Sequence, residues 1–147
     1  NIIGTLGAGW LGGRYRKKYV LAWLYLLRSL VIVVFLMAPL SETSVLVFGA
    51  SLGLLWLGTV PLTSGLVAQI FGPAYMSMLY GVVFLSHQVG SFLGVWLGGR
   101  VFDATGSYDP VWWAAIALGV VAALLHWPIA DRPIDRAVAR APQPAGP

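Results

Sequence analysis

Between Glu42 and Arg100 the chain carries no Lys, Arg, Asp or Glu. A helix crossing a hydrocarbon core about 30 Å thick takes roughly 20 residues, so this stretch is too long for one span and fits two joined by a turn. Phe71, Gly72 and Pro73 supply the turn. Only 10% of the 147 residues are charged and 59% are hydrophobic. A soluble domain carries about 25% charged residues. The sequence therefore predicts an all-α, polytopic helical membrane protein, because helices satisfy their backbone polar groups internally where water is absent.

Turn residues and apolar runs divide the chain into spans. Residues 1–13 are apolar but too few to cross the hydrocarbon, and read as the end of a truncated transmembrane helix. Residues 14–18 form a basic loop, and 19–39 a full span. A third span, 45–70, contains Pro61, where a missing N–H and a ring clash predict a kink. A fourth covers 77–99. Residues 100–110 are polar and turn-rich, which predicts a loop ending in Asp109 as N-cap and Pro110 as first helical residue. A fifth span covers 111–128, and 129–147 reads as a solvated, disordered tail.

Charge placement sets the expected orientation. With alternating spans, seven of the nine basic residues share one side: Arg14, Arg16, Lys17, Lys18, Arg132, Arg136 and Arg140. That side, with the C-terminus, is expected to be cytoplasmic. The basic residues collect beside apolar runs, so they mark membrane topology and not a nucleic-acid surface. With no cysteine, thiolate metal sites and cysteine nucleophiles are excluded. No P-loop, dinucleotide fingerprint, zinc spacing or paired carboxylate appears, so neither cofactor nor metal is expected.

One segment repeats. Trp10, Leu11, Gly12, Gly13, Arg14 recurs letter for letter as Trp96, Leu97, Gly98, Gly99, Arg100, each time at the end of an apolar span. Three spans separate the copies, the relation expected of an inverted repeat in a secondary transporter. Small residues four apart (Gly9 and Gly13, Gly49 and Gly53, Gly90, Gly94 and Gly98) are expected where helices approach closely.

Few side chains in the spans can carry chemistry. Arg28, in the middle of an uncharged span, costs about 2.5–3.5 kcal/mol on insertion and needs a carbonyl, an anion or a wet cavity. Tyr80, Phe84, His87 and Ser91 share one helical face, with Gln88 beside them, and His87 can exchange protons near neutral pH. Thr63, Ser64 and Gln69 follow Pro61, where hydroxyls can bind a solute or satisfy carbonyls that a proline frees. His126, beside Trp127, reads as interfacial.

The residues from Gly9 to Lys18 resemble the cytoplasmic loop motif of the major facilitator superfamily: Gly9, Gly13 in place of Asp, Arg14, Tyr15, Arg16 in place of Gly, then Lys17 and Lys18. The sequence from Leu97 to Tyr108 is similar to the loop between helices eleven and twelve in bacterial members related to monocarboxylate transporters. The resemblance implies the C-terminal part of a twelve-helix transporter in a bacterial cytoplasmic membrane, working by alternating access with the missing N-terminal half. It implies small-molecule substrates, organic anions among them, with protons as candidate coupling ions. Helices ten and eleven line the cavity in that fold, which favours Thr63, Tyr80, His87 and Gln88, while helix nine lies outside, which weighs toward a structural Arg28, kept beside those four as a candidate for the substrate or ion path. Two other classes are an intramembrane hydrolase pairing Ser64 with His87, and a membrane scaffold without a solute path.

Overall fold

The computed structural model describes residues 1–134. Six helices follow in order: α1 (Ile2–Arg14), α2 (Lys17–Met37), α3 (Glu42–Trp56), α4 (Thr59–Phe71), α5 (Pro73–Thr105) and α6 (Asp109–His126), with no strand among the described residues. Four stretches are long and apolar enough to cross a membrane: Lys17–Met37, Glu42–Phe71, Pro73–Thr105 and Asp109–His126. The molecule is a polytopic helical membrane protein.

The helix ends show which local signals operate. Ser41 and Ser44 open α3 with a reciprocal capping box, Ser44 N donating to Ser41 Oγ at 3.1 Å and Ser41 N to Ser44 Oγ at 2.9 Å. Gly72, at φ +82°, turns the chain between α4 and α5 in a conformation that L side chains resist. The basic loop is shorter than the 14–18 of the sequence reading: Lys17 and Lys18 belong to the first turn of α2.

Two further expectations are corrected. The kink at Pro61 becomes a break one turn earlier, at Leu57 and Gly58, which places Pro61 in the first turn of α4 where no N–H is required. The loop expected at 100–110 is helical through Thr105. Gly106 ends α5 in the left-handed region, its N–H 2.7 Å from Phe102 O, and Phe102 stacks on Tyr108 at 4.5 Å to close the connection. Tyr108, and not Asp109, takes the N-cap position of α6.

α2 is the hub, packing against α1, α3, α4 and most extensively α6. Ala8, Leu21, Leu24, Leu62 and Leu66 form the buried core between α1, α2 and α4. Close approach comes from glycines other than those expected. A Cβ on Gly4 would strike the Leu54 backbone of α3, and one on Gly119 would strike Ser29 Oγ of α2, whereas Gly9, Gly13, Gly49, Gly53, Gly90 and Gly94 face open space. α5 packs on α4 and barely touches α6.

The tail expected to be solvated from residue 129 is instead pinned as far as it is described; residues 135–147 lie outside the described residues. Arg16 Nε donates to Asp131 Oδ2 at 2.9 Å and its Nη2 to Asp131 Oδ1. Lys18 Nζ donates to the Trp127 and Ile129 carbonyls at 3.2 and 2.8 Å. Gln69 Nε2 donates to Asp131 O at 2.7 Å, and Ile134 N to Ile70 O at 3.0 Å. Ile129 packs on the core. Composition suggested a solvated chain, but three cationic or amide side chains at the ends of α2 and α4 needed acceptors, and this segment provides them.

Candidate functional site

The break between α3 and α4 leaves carbonyls without helical partners, and it is Arg28 that takes them. Its guanidinium donates to Leu55 O through Nε at 3.2 Å and Nη2 at 2.6 Å, and to Trp56 O through Nη2. Tyr25 and Trp56 flank it, each ring centroid 5.6 Å from the guanidinium carbon. A helix C-terminus carries partial negative charge, so a cation there is favoured. Arg28 caps a helix from the neighbouring one, and its demand for a partner is met within the fold.

The other expected path residues divide. Thr63, Tyr80 and His87 come together on one cavity of about 250 Å³, walled also by Tyr25, Thr59, Val60, Val83, Phe84 and His126. α4 brings the threonines because its start at Thr59 sets both hydroxyls on one face, four residues apart. α5 brings the aromatic stripe, with Tyr80 and Phe84 centroids 6.4 Å apart and Phe84 and His87 6.0 Å apart. Gln88 is exposed and does not line the cavity, and Arg28 lies outside its wall. Ser91 turns its hydroxyl back to His87 O at 2.9 Å.

Ser64 is also elsewhere. Its hydroxyl donates to Pro61 O at 3.2 Å and it does not line the cavity holding His87, so the pair needed for a serine hydrolase is not assembled.

Tyr25 and Thr59 line the cavity without having been singled out by the sequence, and His126, read there only as interfacial, lines it too. His126 stands against Tyr25 with ring centroids 5.2 Å apart, and its Nδ1 lies 2.7 Å from Ala122 O. Its place at the end of an apolar span was legible in the sequence, whereas the cavity it shares with Tyr25 was not. No acidic side chain is among those lining the cavity.

The loop-motif residues act at the other focus of charge. Arg14 stacks on Trp10 at 5.3 Å, Lys17 Nζ donates to Gln69 Oε1 at 3.0 Å, and Lys18 is buried under the chain leaving α6. Gly9 and Gly13 are exposed. Asp131, from the chain leaving α6, supplies the carboxylate that Arg16 pairs with, and that carboxyl is held down to about 2 by its hydrogen bond to Arg16, against the upward pull of desolvation. The five-residue echo repeats in structure as well. Arg100 stacks on Trp96 at 5.5 Å as Arg14 does on Trp10, and Gly12 and Gly98, the first glycine of each copy, are both buried.

Comparison with known proteins agrees with this architecture. A protein of Bacillus subtilis (strain 168) described as an uncharacterized MFS-type transporter, YcxA, is 34% identical over 112 residues, which cover 73% of this chain and 28% of the relative. The chain thus aligns with little more than a quarter of that relative's length. No solved structure matches. Residues 1–147 match the family described as the Major Facilitator Superfamily, and with four apolar stretches able to cross a bilayer and an MFS-type transporter as its relative, the chain belongs to that superfamily of membrane transporters.

Proposed function

We propose that the chain forms part of a secondary active transporter that moves small solutes, organic anions in particular, by alternating access, and that the cavity of Thr63, Tyr80 and His87 belongs to its solute path. The convergence of those three residues with Tyr25, Thr59 and His126 is the observation that carries the reading. Hydroxyls and imidazoles in a lipid-embedded bundle call for a guest, water or one another. A wall with donors and no acid suits a ligand that accepts hydrogen bonds, and Phe84 with Val83 suits its apolar body. The similarity of Leu97 to Tyr108 to the monocarboxylate-transporter branch supports the same class of solute. The opposing wall would come from the rest of a twelve-helix protein, and protons are the candidate coupling ion. The basic end, with Arg14, Arg16, Lys17, Lys18 and Arg132, would face the cytoplasm of a bacterial membrane, placing the C-terminus there.

The test is uptake by the full-length protein in proteoliposomes, with radiolabelled lactate and benzoate as probes of a small and an aromatic monoanion. His87→Ala and Tyr80→Phe should each lower uptake by about tenfold, equivalent to ~1.4 kcal/mol, while Gln88→Ala leaves it unchanged. Uptake that all three variants sustain equally would remove the cavity from the path.

A further inference from the structure

A second cavity, of about 460 Å³, lies between α2, α3 and α6 and shares only Tyr25 with the one that holds Thr63 and His87. Tyr25, Trp56 and Trp112 give it aromatic faces, residues such as Ala115 and Leu118 give it aliphatic ones, and Arg28 gives it a charge. No acid lines it. Ser29, its one aliphatic hydroxyl, spends its hydrogen on Ile116 O at 3.2 Å.

The cap on the Leu55 and Trp56 carbonyls uses Nε and Nη2 of Arg28 and leaves the N–H groups of Nη1 without an acceptor among the described residues. No polar side-chain atom among those residues is both buried and unpartnered, so Nη1 stands open. It is the part of Arg28 left to meet a guest. The two carbonyls satisfy the need for a hydrogen-bond partner, but they are dipoles and leave the formal charge in place. Arg16 with Asp131 is the one ion pair among the described residues, so nothing acidic there neutralises Arg28. A cation near the middle of the 21-residue α2, away from water, is stabilised by an anion more than by a further neutral acceptor.

We infer that this cavity is a second ligand site, outside the solute path, for a lipophilic aromatic monoanion, whose anionic oxygen meets Nη1 of Arg28 while its rings fill the space beside Tyr25, Trp56 and Trp112. A mostly apolar wall with a single charged group is how small-molecule sites fix the orientation of a guest, and ligand pockets run from about 300 to 1,000 Å³. The aromatic faces favour a flat, aromatic body, since rings gain from stacked or edge-on contact beyond the area they bury. Every wall residue belongs to a stretch able to cross the membrane. A small hydrated anion entering there loses its water with no apolar body to offset the loss, whereas a lipophilic one gains by burial. The inference goes beyond the transport reading and does not rest on it, because the Arg28 cap and its cavity are separate from the wall of Thr63 and His87.

The test uses the full-length protein in lipid nanodiscs, titrated with tritiated 2-naphthoate, with protein-free nanodiscs giving the partition background. Saturable binding is expected, about tenfold or more tighter than that of the neutral 2-naphthamide in competition, the scale of one hydrogen bond to a charged group. Arg28→Lys, whose ammonium is drawn to the Leu55 and Trp56 carbonyls, should weaken binding by about tenfold. Ala115→Leu leaves Arg28 in place, narrows the cavity and should weaken binding as well. Equal affinity for the acid and the amide overturns the site, and that comparison uses the unaltered protein, so it does not depend on how either variant folds. Binding that both variants keep in full overturns it too. Loss in His87→Ala with none in Arg28→Lys would put the probe in the other cavity, against the inference. Displacement by palmitate at lower concentration than by 2-naphthoate itself would make the occupant an acyl chain and overturn the aromatic assignment. Lactate uptake that depends on His87, beside absent naphthoate binding, keeps the transport reading and loses this site. Naphthoate binding that depends on Arg28, beside uptake that His87→Ala leaves intact, does the reverse.

Discussion

Arg16 and Asp131, 115 positions apart in sequence, meet in a two-point ion pair that ties the start of α2 to the chain leaving α6. The planar guanidinium fork matches both carboxylate oxygens, a geometry that lysine does not reproduce. Asp131→Asn should loosen residues 127–134, read as faster amide hydrogen exchange there with α2 and α6 unchanged. Exchanging the partners as Arg16→Asp with Asp131→Arg should recover part of the protection, whereas either single reversal should not.

The pair also has a defined pH response. The Asp131 carboxyl is held at about 2 in the folded protein, below an ordinary aspartate near 3.9. A depressed acid contributes stability that is complete above the ordinary value and is lost as pH falls through the folded one. Protection of residues 127–134 should therefore be constant from pH 5 to 8 and decline only between about pH 4 and 2. A loss centred near neutrality would mean that another group holds the segment.

Arg28 serves the break in the α3 to α4 span. Arg28→Gln leaves the Leu55 and Trp56 carbonyls without their cationic donor and should lower stability by about 2 kcal/mol, the scale of a charged hydrogen bond inside a protein. Arg28→Lys should lose less, since an ammonium still donates. Thermal unfolding of the detergent-solubilised protein measures both. Transport by Arg28→Lys should stay near that of the parent, because the side chain lies outside the wall shared by Thr63 and His87.

How much of this was legible in sequence depends on whether the cause is local. The charge-free stretch and its length announced the spans, and the stripe of Tyr80, Phe84 and His87 announced its face because helical spacing is local. Pro61 signalled irregularity, but its position could not say that the break would fall at Leu57 and Gly58, since that depends on Arg28 taking up the freed carbonyls from another helix. Asp131 looked like one more charge in a polar tail, because nothing in its neighbourhood names Arg16. Thr63 and His87 were visible one at a time, while Tyr25 and His126 joined them only through the packing of α2 on α6.

The glycines give a sharper test of that packing. Gly119 sits where α6 crosses α2, and a Cβ there collides with Ser29 Oγ, whose hydroxyl donates to Ile116 O at 3.2 Å. Gly119→Val should force the two helices apart and cost about 1–3 kcal/mol. Gly94, in a motif-like series but facing open space, should accept Ala with a change within about 0.5 kcal/mol. Equal costs at the two positions would mean that α5 has a close neighbour at Gly94 in the assembled transporter.

Cysteine scanning separates a wet cavity from dry packing. The sequence has no cysteine, so each introduced thiol in this chain reports on its own site. Thr63→Cys, Tyr80→Cys and His87→Cys line the cavity and should react with a small charged thiol reagent in intact membranes, because only the thiolate reacts and only water supports it. Ser64→Cys, one residue from Thr63 but turned toward the Pro61 carbonyl and away from the cavity wall, should react more slowly. Since neighbours on a helix point about 100° apart, the contrast between 63 and 64 tests which face of α4 is wet rather than how deep it lies. Protection of 63, 80 and 87 alike would identify a sealed bundle with no solute path through it.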